Sequence, residues 1–167
     1  MSELKDAGVL VRLAYQGMEA MGVDSAEVLK RIGLSYQQIQ SKDLRTPHSA
    51  QKLFWSAMED ISGDADIGLH LGENLPVFRG QVIEYLFLSS PNFGEGLKRA
   101  LNYQRLISDA VQATLHIEES NPEAYLSNPG LAAIRHLLVC VMMGVLKFFR
   151  HITEEAFQCD SPEMLLQ

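Results

Sequence analysis

The chain is poor in cysteine and in positive charge, and each deficit excludes a class of protein. Among 167 residues there are two cysteines, Cys140 in an apolar run and Cys159 in a polar tail, too few for a disulfide framework. We therefore expect reduced thiols in a cytoplasmic protein. The 14 lysine and arginine residues are outnumbered by 21 acidic ones, giving a net charge of -7. Such a field repels phosphate backbones, so this chain alone is not expected to bind DNA.

Signals for export and for membrane insertion are also missing. The N-terminal sequence MSELKDAGVLVRLAYQG has no basic start, no continuous apolar core and no small-residue cleavage site. The longest uninterrupted apolar run, from Leu137 to Leu146, falls well short of the ~20 residues that cross a bilayer. The sequence therefore predicts neither a signal peptide nor a membrane partner.

Recognisable catalytic and metal-binding motifs are absent as well. The five histidines are scattered, and the chain has no H-E-x-x-H, paired C-x-x-C, G-x-S-x-G, P-loop or dinucleotide fingerprint. His136 and Cys140 would share a helix face, but two ligands do not close a zinc site, which favours simple helix packing. We expect no enzyme, no catalytic residue, no metal and no cofactor; a hydrolase or isomerase using His70 or His136 is the minor alternative.

Apolar residues at helical spacing dominate what is present. They predict a first helix ending at Met21 before Gly22, short helices up to Arg45, and a helix from Pro47 to about Ser62. Ser35 with Gln38 and Asn92 with Glu95 are spaced as capping boxes, and the second predicts a helix ending near Ser108. The run VIEYLFL from residue 82 is apolar nearly all round. A long last helix is predicted from about Leu131 to Ile152.

The period changes to two from Val111 to Glu118, which predicts a half-buried strand. Ser120, Asn121 and Pro122 supply turn chemistry, and residues 124–127 can return as an antiparallel partner. Residues 156–159 are one candidate for a further strand. The predicted fold class is α+β, mainly helical with about six to eight helices, and with a small antiparallel sheet built around a hairpin near residues 110–128.

Four segments in the middle of the chain carry a family resemblance. They read GLHLGE, GQVIEYLFLSSP, FGEGLKRAL and YQRLISD. With this spacing, residues 23–157 resemble the N-terminal effector-binding domain, of the arabinose-binding type, of AraC/XylS-family transcription regulators. The resemblance implies that VIEYLFL is a central buried helix. It also implies one sensing and dimerising domain over residues 1–167, with DNA held by a separate C-terminal helix-turn-helix module that nothing after Ile152 resembles.

Polar side chains in apolar surroundings are the candidate ligand-binding residues. The set comprises Arg79, Tyr85, Tyr103, Arg105, Arg135 and His136. A sensor pocket needs an apolar lining and a few orienting polar groups, and an arginine fork suits a carboxylate or phosphate. Alternatively, Arg79 pairs with a nearby acid such as Glu73 or Glu84, and the tyrosines fill core space. Met142, Met143, Phe148 and Phe149 line a pocket, form a dimer seam or pack as core.

These observations together predict a regulatory domain that binds a small metabolite of unidentified structure and controls an attached DNA-binding module. The expected partners are the effector, a second copy of the chain in a homodimer, and DNA only through a domain outside this chain. The alternative is an interaction module in which the apolar last helix forms a symmetric dimer and no small molecule is sensed.

Overall fold

Helices make up most of the protein. A computed structural model describes residues 3–76, 78, 80–117, 124–127 and 133–156. Within these ranges the helices are α1 (Gly8–Met21), α2 (Ser25–Arg31), α3 (Tyr36–Ile39), α4 (Gln51–Ser62), α5 (Ile67–Asn74), α6 (Val82–Leu88), α7 (Phe93–Asn102) and α8 (Arg135–Ile152), with short 3-10 turns at His48–Ala50 and Gln104–Leu106. The mainly helical α+β prediction is confirmed.

Two small antiparallel sheets complete the described architecture. Strands β3 (Thr114–Ile117) and β4 (Ala124–Ser127) form the predicted hairpin, with Thr114 opposite Ser127. Strands β1 (Lys5–Ala7) and β2 (Arg45–Pro47) pair at the other end of the chain, with Asp6 opposite Thr46. The sequence did not reveal this second pair, because three-residue strands are too short to show an alternating pattern.

Several helix ends follow the predicted capping chemistry. Gly22 ends α1 in the left-handed conformation at φ 71°, and Ser35 and Gln38 form a reciprocal capping box. The predicted end of α7 near Ser108 is wrong: the helix ends at Asn102, and a tighter 3-10 turn follows in which the Gln104 amide bonds to a strand-edge backbone. The possible strand at residues 156–159 falls mostly outside the described residues.

Buried side chains form two apolar clusters that share α8. The first cluster joins α1, α2, α4 and α5 with Leu137 and Cys140 of α8. The second joins α6 and α7 with Phe148 and Phe149, two turns further along α8. Gly144 lies between the two parts of the helix. The last helix is therefore the element that connects the two halves of the core.

The expectation of a central buried α6 is wrong for one of its faces. Ile83 and Phe87 are buried against α7 and α8, whereas Val82, Tyr85 and Leu88 are exposed. A seven-residue helix at the edge of the bundle buries only the side that contacts its neighbours, so its apolar composition does not predict burial all round.

Two glycines allow α5 and α8 to approach closely. A Cβ at Gly68 would lie 2.5 Å from the carbonyl oxygen of His136, and one at Gly72 would lie 2.7 Å from Cβ of Met143. Such distances are shorter than real side-chain contacts, so only glycine fits at these positions. The GLHLGE segment thus sets the distance between α5 and α8. No helix in the described ranges is both long and apolar enough to cross a membrane.

Candidate functional site

A cavity of about 350 Å³ lies between the two apolar clusters. Its lining combines residues of both clusters, for example Ala14, Trp55, Leu71, Phe87, Leu97 and Phe148. The volume is within the ~300–1,000 Å³ typical of small-molecule sites, which are mostly apolar with few polar groups. The cavity is therefore the candidate ligand-binding site of the described structure.

One residue of the cavity wall carries a buried carboxylate. Asp6, on β1, is only 2% exposed and lines the cavity. Its Oδ1 accepts a hydrogen bond from Ser108 Oγ at 2.6 Å, and its Oδ2 accepts one from Gln51 Nε2 at 2.8 Å. His48 Nδ1 lies 3.1 Å from both carboxylate oxygens and donates to them. Three segments far apart in sequence thus meet at one carboxylate.

The two glutamines of the lining also have their amides satisfied within the protein. Gln51 accepts a hydrogen bond from the indole Nε1 of Trp55 at 3.2 Å while donating to Asp6. Gln104 pairs with the backbone of Ala113, accepting from its N–H at 2.7 Å and donating to its carbonyl at 3.2 Å. These bonds hold α4 and the segment after α7 in place around the cavity.

Helix α8 supplies a continuous strip of the cavity wall. Cys140, Gly144, Val145 and Phe148 all line it. A Cβ at Gly144 would meet only Leu75 Cδ1, at 3.7 Å, so space is open beside this glycine. Burial raises the pKa of the Cys140 thiol to about 12, and the thiol is therefore uncharged at neutral pH.

A family model supports this architecture independently. The model described as the arabinose-binding domain of AraC transcription regulators, N-terminal, matches residues 22–163, which is most of the chain. The chain belongs to this family. The resemblance inferred from the four sequence segments is confirmed, and the protein is a regulatory domain of the AraC type.

One curated relative is a regulator of the same kind. This AraC-type domain is 30% identical, over 105 residues, to a protein of Pseudomonas aeruginosa described as an ornithine utilization regulator. The alignment covers 56% of this chain and 31% of the relative. The chain thus matches about a third of the length of that regulator.

Three of the predicted ligand-binding residues in this AraC-type domain are directed to solvent. Tyr85 is 61% exposed, Tyr103 is 53% exposed and Arg105 is also exposed. None of the three is among the described residues that line the cavity, although Arg105 follows the lining residue Gln104. Arg79 lies outside the described residues. The structure therefore does not bring Tyr85, Tyr103 and Arg105 together at the cavity.

The two predicted residues at the start of α8 bind neighbouring acids. Arg135 donates to Asp66 at 2.6 Å on the surface. His136 lies 3.2 Å from Glu59, and its ring packs on Trp55 with 5.9 Å between centroids. His136 thus packs on Trp55, a residue of the cavity lining, without lining the cavity itself. Across the described ranges, no group of three His, Cys, Asp or Glu side chains is placed to hold a metal ion.

The sequence analysis did not identify the polar residues that the structure places at the cavity. Asp6, Gln51 and Gln104 occupy unremarkable positions in a strand, a helix start and a turn. For Asp6 the sequence offered one signal, its place directly before the apolar positions of α1. An acidic residue that is buried there requires hydrogen-bond partners. For the glutamines, no pattern in the sequence distinguishes them from surface residues.

A surface ion pair of α5 gives a pH prediction. A hydrogen bond of His70 Nδ1 to Asp64 at 2.5 Å raises the pKa of His70 above 6.5 and lowers the pKa of Asp64 below 3.8. The pairing stabilises the folded state fully at pH values below the pKa of His70 in the unfolded chain and above the pKa of Asp64 in the unfolded chain. It is lost as pH rises through the raised His70 pKa or falls through the lowered Asp64 pKa.

Proton NMR titration of the imidazole should therefore give a His70 pKa above the ordinary value, and Asp64→Asn should return it toward 6.5. The matched change Glu73→Gln, which removes a weaker and more distant charge, should shift it much less. An unchanged pKa in Asp64→Asn would contradict the pairing.

Proposed function

We propose that this chain is the ligand-sensing part of an AraC-type transcription regulator, binding a small metabolite in the cavity without chemistry and controlling an attached DNA-binding module in the cytoplasm. The cavity between the two clusters is the observation that carries the proposal. Family membership supports the regulatory role, and the acidic composition supports a separate module for DNA.

The position of α8 supports a route by which occupancy is communicated. The helix packs on the first cluster through Leu137 and Cys140 and on the second through Phe148 and Phe149, with the cavity beside Gly144 between them. A ligand that contacts both halves stabilises the arrangement in which both pack on α8. It shifts the regulator toward its active state only by its difference in affinity between the two states.

A thermal-shift screen tests the sensing role. The panel contains amino acids, amines, short fatty acids, alcohols and sugars, with ornithine included because of the relative's name. A ligand present at about 100 times its dissociation constant stabilises the folded state by roughly 2.7 kcal/mol, which raises the melting temperature by several degrees. If no compound in a broad screen shifts the melting temperature, the sensing proposal fails.

A cavity-filling variant shows whether a hit binds at the proposed place. Gly144→Leu places an apolar side chain into the open space of the cavity and should abolish the shift. Gly94→Leu is the matched control, because Gly94 is exposed on α7 and its Cβ would meet only Asn92 Oδ1, at 3.5 Å. A hit that binds both variants equally does not use the cavity.

Homodimerisation through α8 stays a prediction. The apolar last helix is the element expected to form such a seam, and two of its residues, Val141 and Val145, line the cavity and pack against the two clusters. Sedimentation velocity of the wild-type chain over a range of concentrations measures the oligomeric state directly. The result bears on assembly and leaves the proposed sensing role unchanged.

A further inference from the structure

The residues that line the cavity bear on the charge of a ligand as well as on its size. Apart from the indole of Trp55 and the thiol of Cys140, its polar side chains are Asp6, Thr46, Gln51 and Gln104. The described lining contains no lysine, arginine or histidine. A negatively charged ligand therefore meets no cationic partner on this part of the wall, and it meets one carboxylate that repels it.

The Asp6 carboxylate is also occupied by protein donors. Ser108, Gln51 and His48 all direct hydrogen-bond donors at its two oxygens, at 2.6 to 3.1 Å. An incoming ammonium group has to displace one of these donors to reach it. Because burying an ion without a partner costs several kcal/mol, a cationic ligand is disfavoured as well.

The glutamine amides are directed into the protein in the same way. Gln51 joins Asp6 to Trp55, and Gln104 is held by both backbone groups of Ala113. What remains for a ligand is mainly apolar surface from aromatic and aliphatic side chains. Transfer of apolar surface from water is then the principal driving force for binding.

The volume limits the size of the occupant. At about 350 Å³ the cavity lies near the lower end of the ~300–1,000 Å³ typical of small-molecule sites, so it suits a small metabolite. This is the size of a medium-length alkyl chain or a small substituted aromatic compound. Free amino acids have a similar size but carry two opposite charges that this lining leaves without partners.

We infer that the cavity, as its described residues line it, takes an uncharged apolar molecule of this size, bearing at most one neutral polar group, and disfavours free amino acids and alkyl carboxylates. The inference rests on the proposed sensing function and specifies its ligand class. It distinguishes this domain from any sensor whose effector is recognised by paired charges.

The test uses probes that share one alkyl chain and differ in charge. Binding of 1-octanol, octylamine, octanoate and L-ornithine to the full 167-residue chain is measured by isothermal titration calorimetry and thermal shift at pH 7. We expect 1-octanol to bind at least about tenfold more tightly than octylamine or octanoate, and ornithine to give no measurable heat. A negative heat-capacity change for 1-octanol is also expected, since apolar surface is buried.

Variants connect the binding to the cavity. Gly144→Leu should abolish 1-octanol binding, whereas Gly94→Leu should leave it within about twofold of wild type. Val145→Phe is a second lining variant. It is measured if circular dichroism shows that Gly144→Leu is unfolded.

The outcomes separate the two proposals. Cavity-dependent binding of 1-octanol with weak binding of the charged probes supports both. Cavity-dependent binding of octanoate, octylamine or ornithine at equal or higher affinity overturns the ligand class and leaves the sensing function standing. Binding of 1-octanol that survives both lining variants also overturns the ligand class, while a broad screen without any binder overturns the sensing function itself.

Discussion

Replacing Gly68 by alanine is expected to lower the free energy of unfolding by about 2 kcal/mol. The new Cβ would lie 2.5 Å from the backbone oxygen of His136 and 2.6 Å from its Cα, so α5 and α8 must separate. Overpacking of this kind costs ~1–3 kcal/mol, and the better helix propensity of alanine returns less than ~1 kcal/mol. Gly72→Ala should behave similarly, because its Cβ would lie 3.0 Å from the Cys140 oxygen. Urea denaturation followed by circular dichroism measures both.

Gly144→Ala is the matched control on the other helix of the pair. Its Cβ would make an ordinary contact of 3.7 Å with Leu75 Cδ1, so the variant gains helix propensity without a clash. We expect its free energy of unfolding to equal or exceed that of wild type by up to ~1 kcal/mol. Equal stabilities of Gly68→Ala and wild type would contradict the close approach of α5 and α8.

The contact between α5 and α8 also determines the cavity. Leu71 on α5 and Leu75, which directly follows that helix, line it beside Val141 and Gly144 on α8. Separation of the two helices in Gly68→Ala widens this wall and reduces its contacts with a ligand. Weaker ligand binding is therefore expected in the same variant that loses stability, whereas a merely local defect at the end of α5 would leave affinity unchanged.

The helical part of the fold was predictable because its signals are local. Residues on one face of a helix recur every three or four positions, and a cap depends on residues three apart, as for Ser35 and Gln38. Gly68 and Gly72 of the GLHLGE segment are likewise four positions apart and face the same neighbouring helix. The three-residue strands β1 and β2 lack this property, since each depends on a partner about 40 residues away.

The candidate site was not predictable for a similar reason. Its polar residues are brought together only by tertiary contacts, as with Asp6 and Ser108, which are 102 positions apart. Tyr85 shows the opposite error: it lies in an apolar segment, but the edge position of α6 exposes its side chain. A pattern of residue types indicates which face a helix can bury, and only packing decides whether a given side chain reaches a cavity.

Removal of the Asp6 carboxylate should cause the largest loss of stability among the single substitutions considered. Asp6→Ala leaves Ser108, Gln51 and His48 without their common acceptor in a site that is 2% exposed. Breaking a buried charged network by deleting one member costs about 3 kcal/mol or more. The network also joins β1 to the segment after α7, where the Ala7 N–H donates to the Ile107 carbonyl at 2.7 Å. Chemical denaturation of Asp6→Ala measures the loss.

Asp109→Ala is the matched control, because this aspartate contacts the same strand only at the surface, where it pairs with Arg45 and its Oδ2 accepts a hydrogen bond from the Lys5 N–H at 3.1 Å. Exposed ion pairs contribute ~0–1 kcal/mol, so the variant should unfold close to wild type. Asp6→Asn retains the size of the side chain and one acceptor oxygen, and it should lie between the other two. If Asp6→Ala and Asp109→Ala lose stability equally, the buried network is not what anchors β1. If Asp6→Asn folds and still prefers 1-octanol to octanoate, the exclusion of anions derives from the apolar lining instead of from repulsion by this carboxylate.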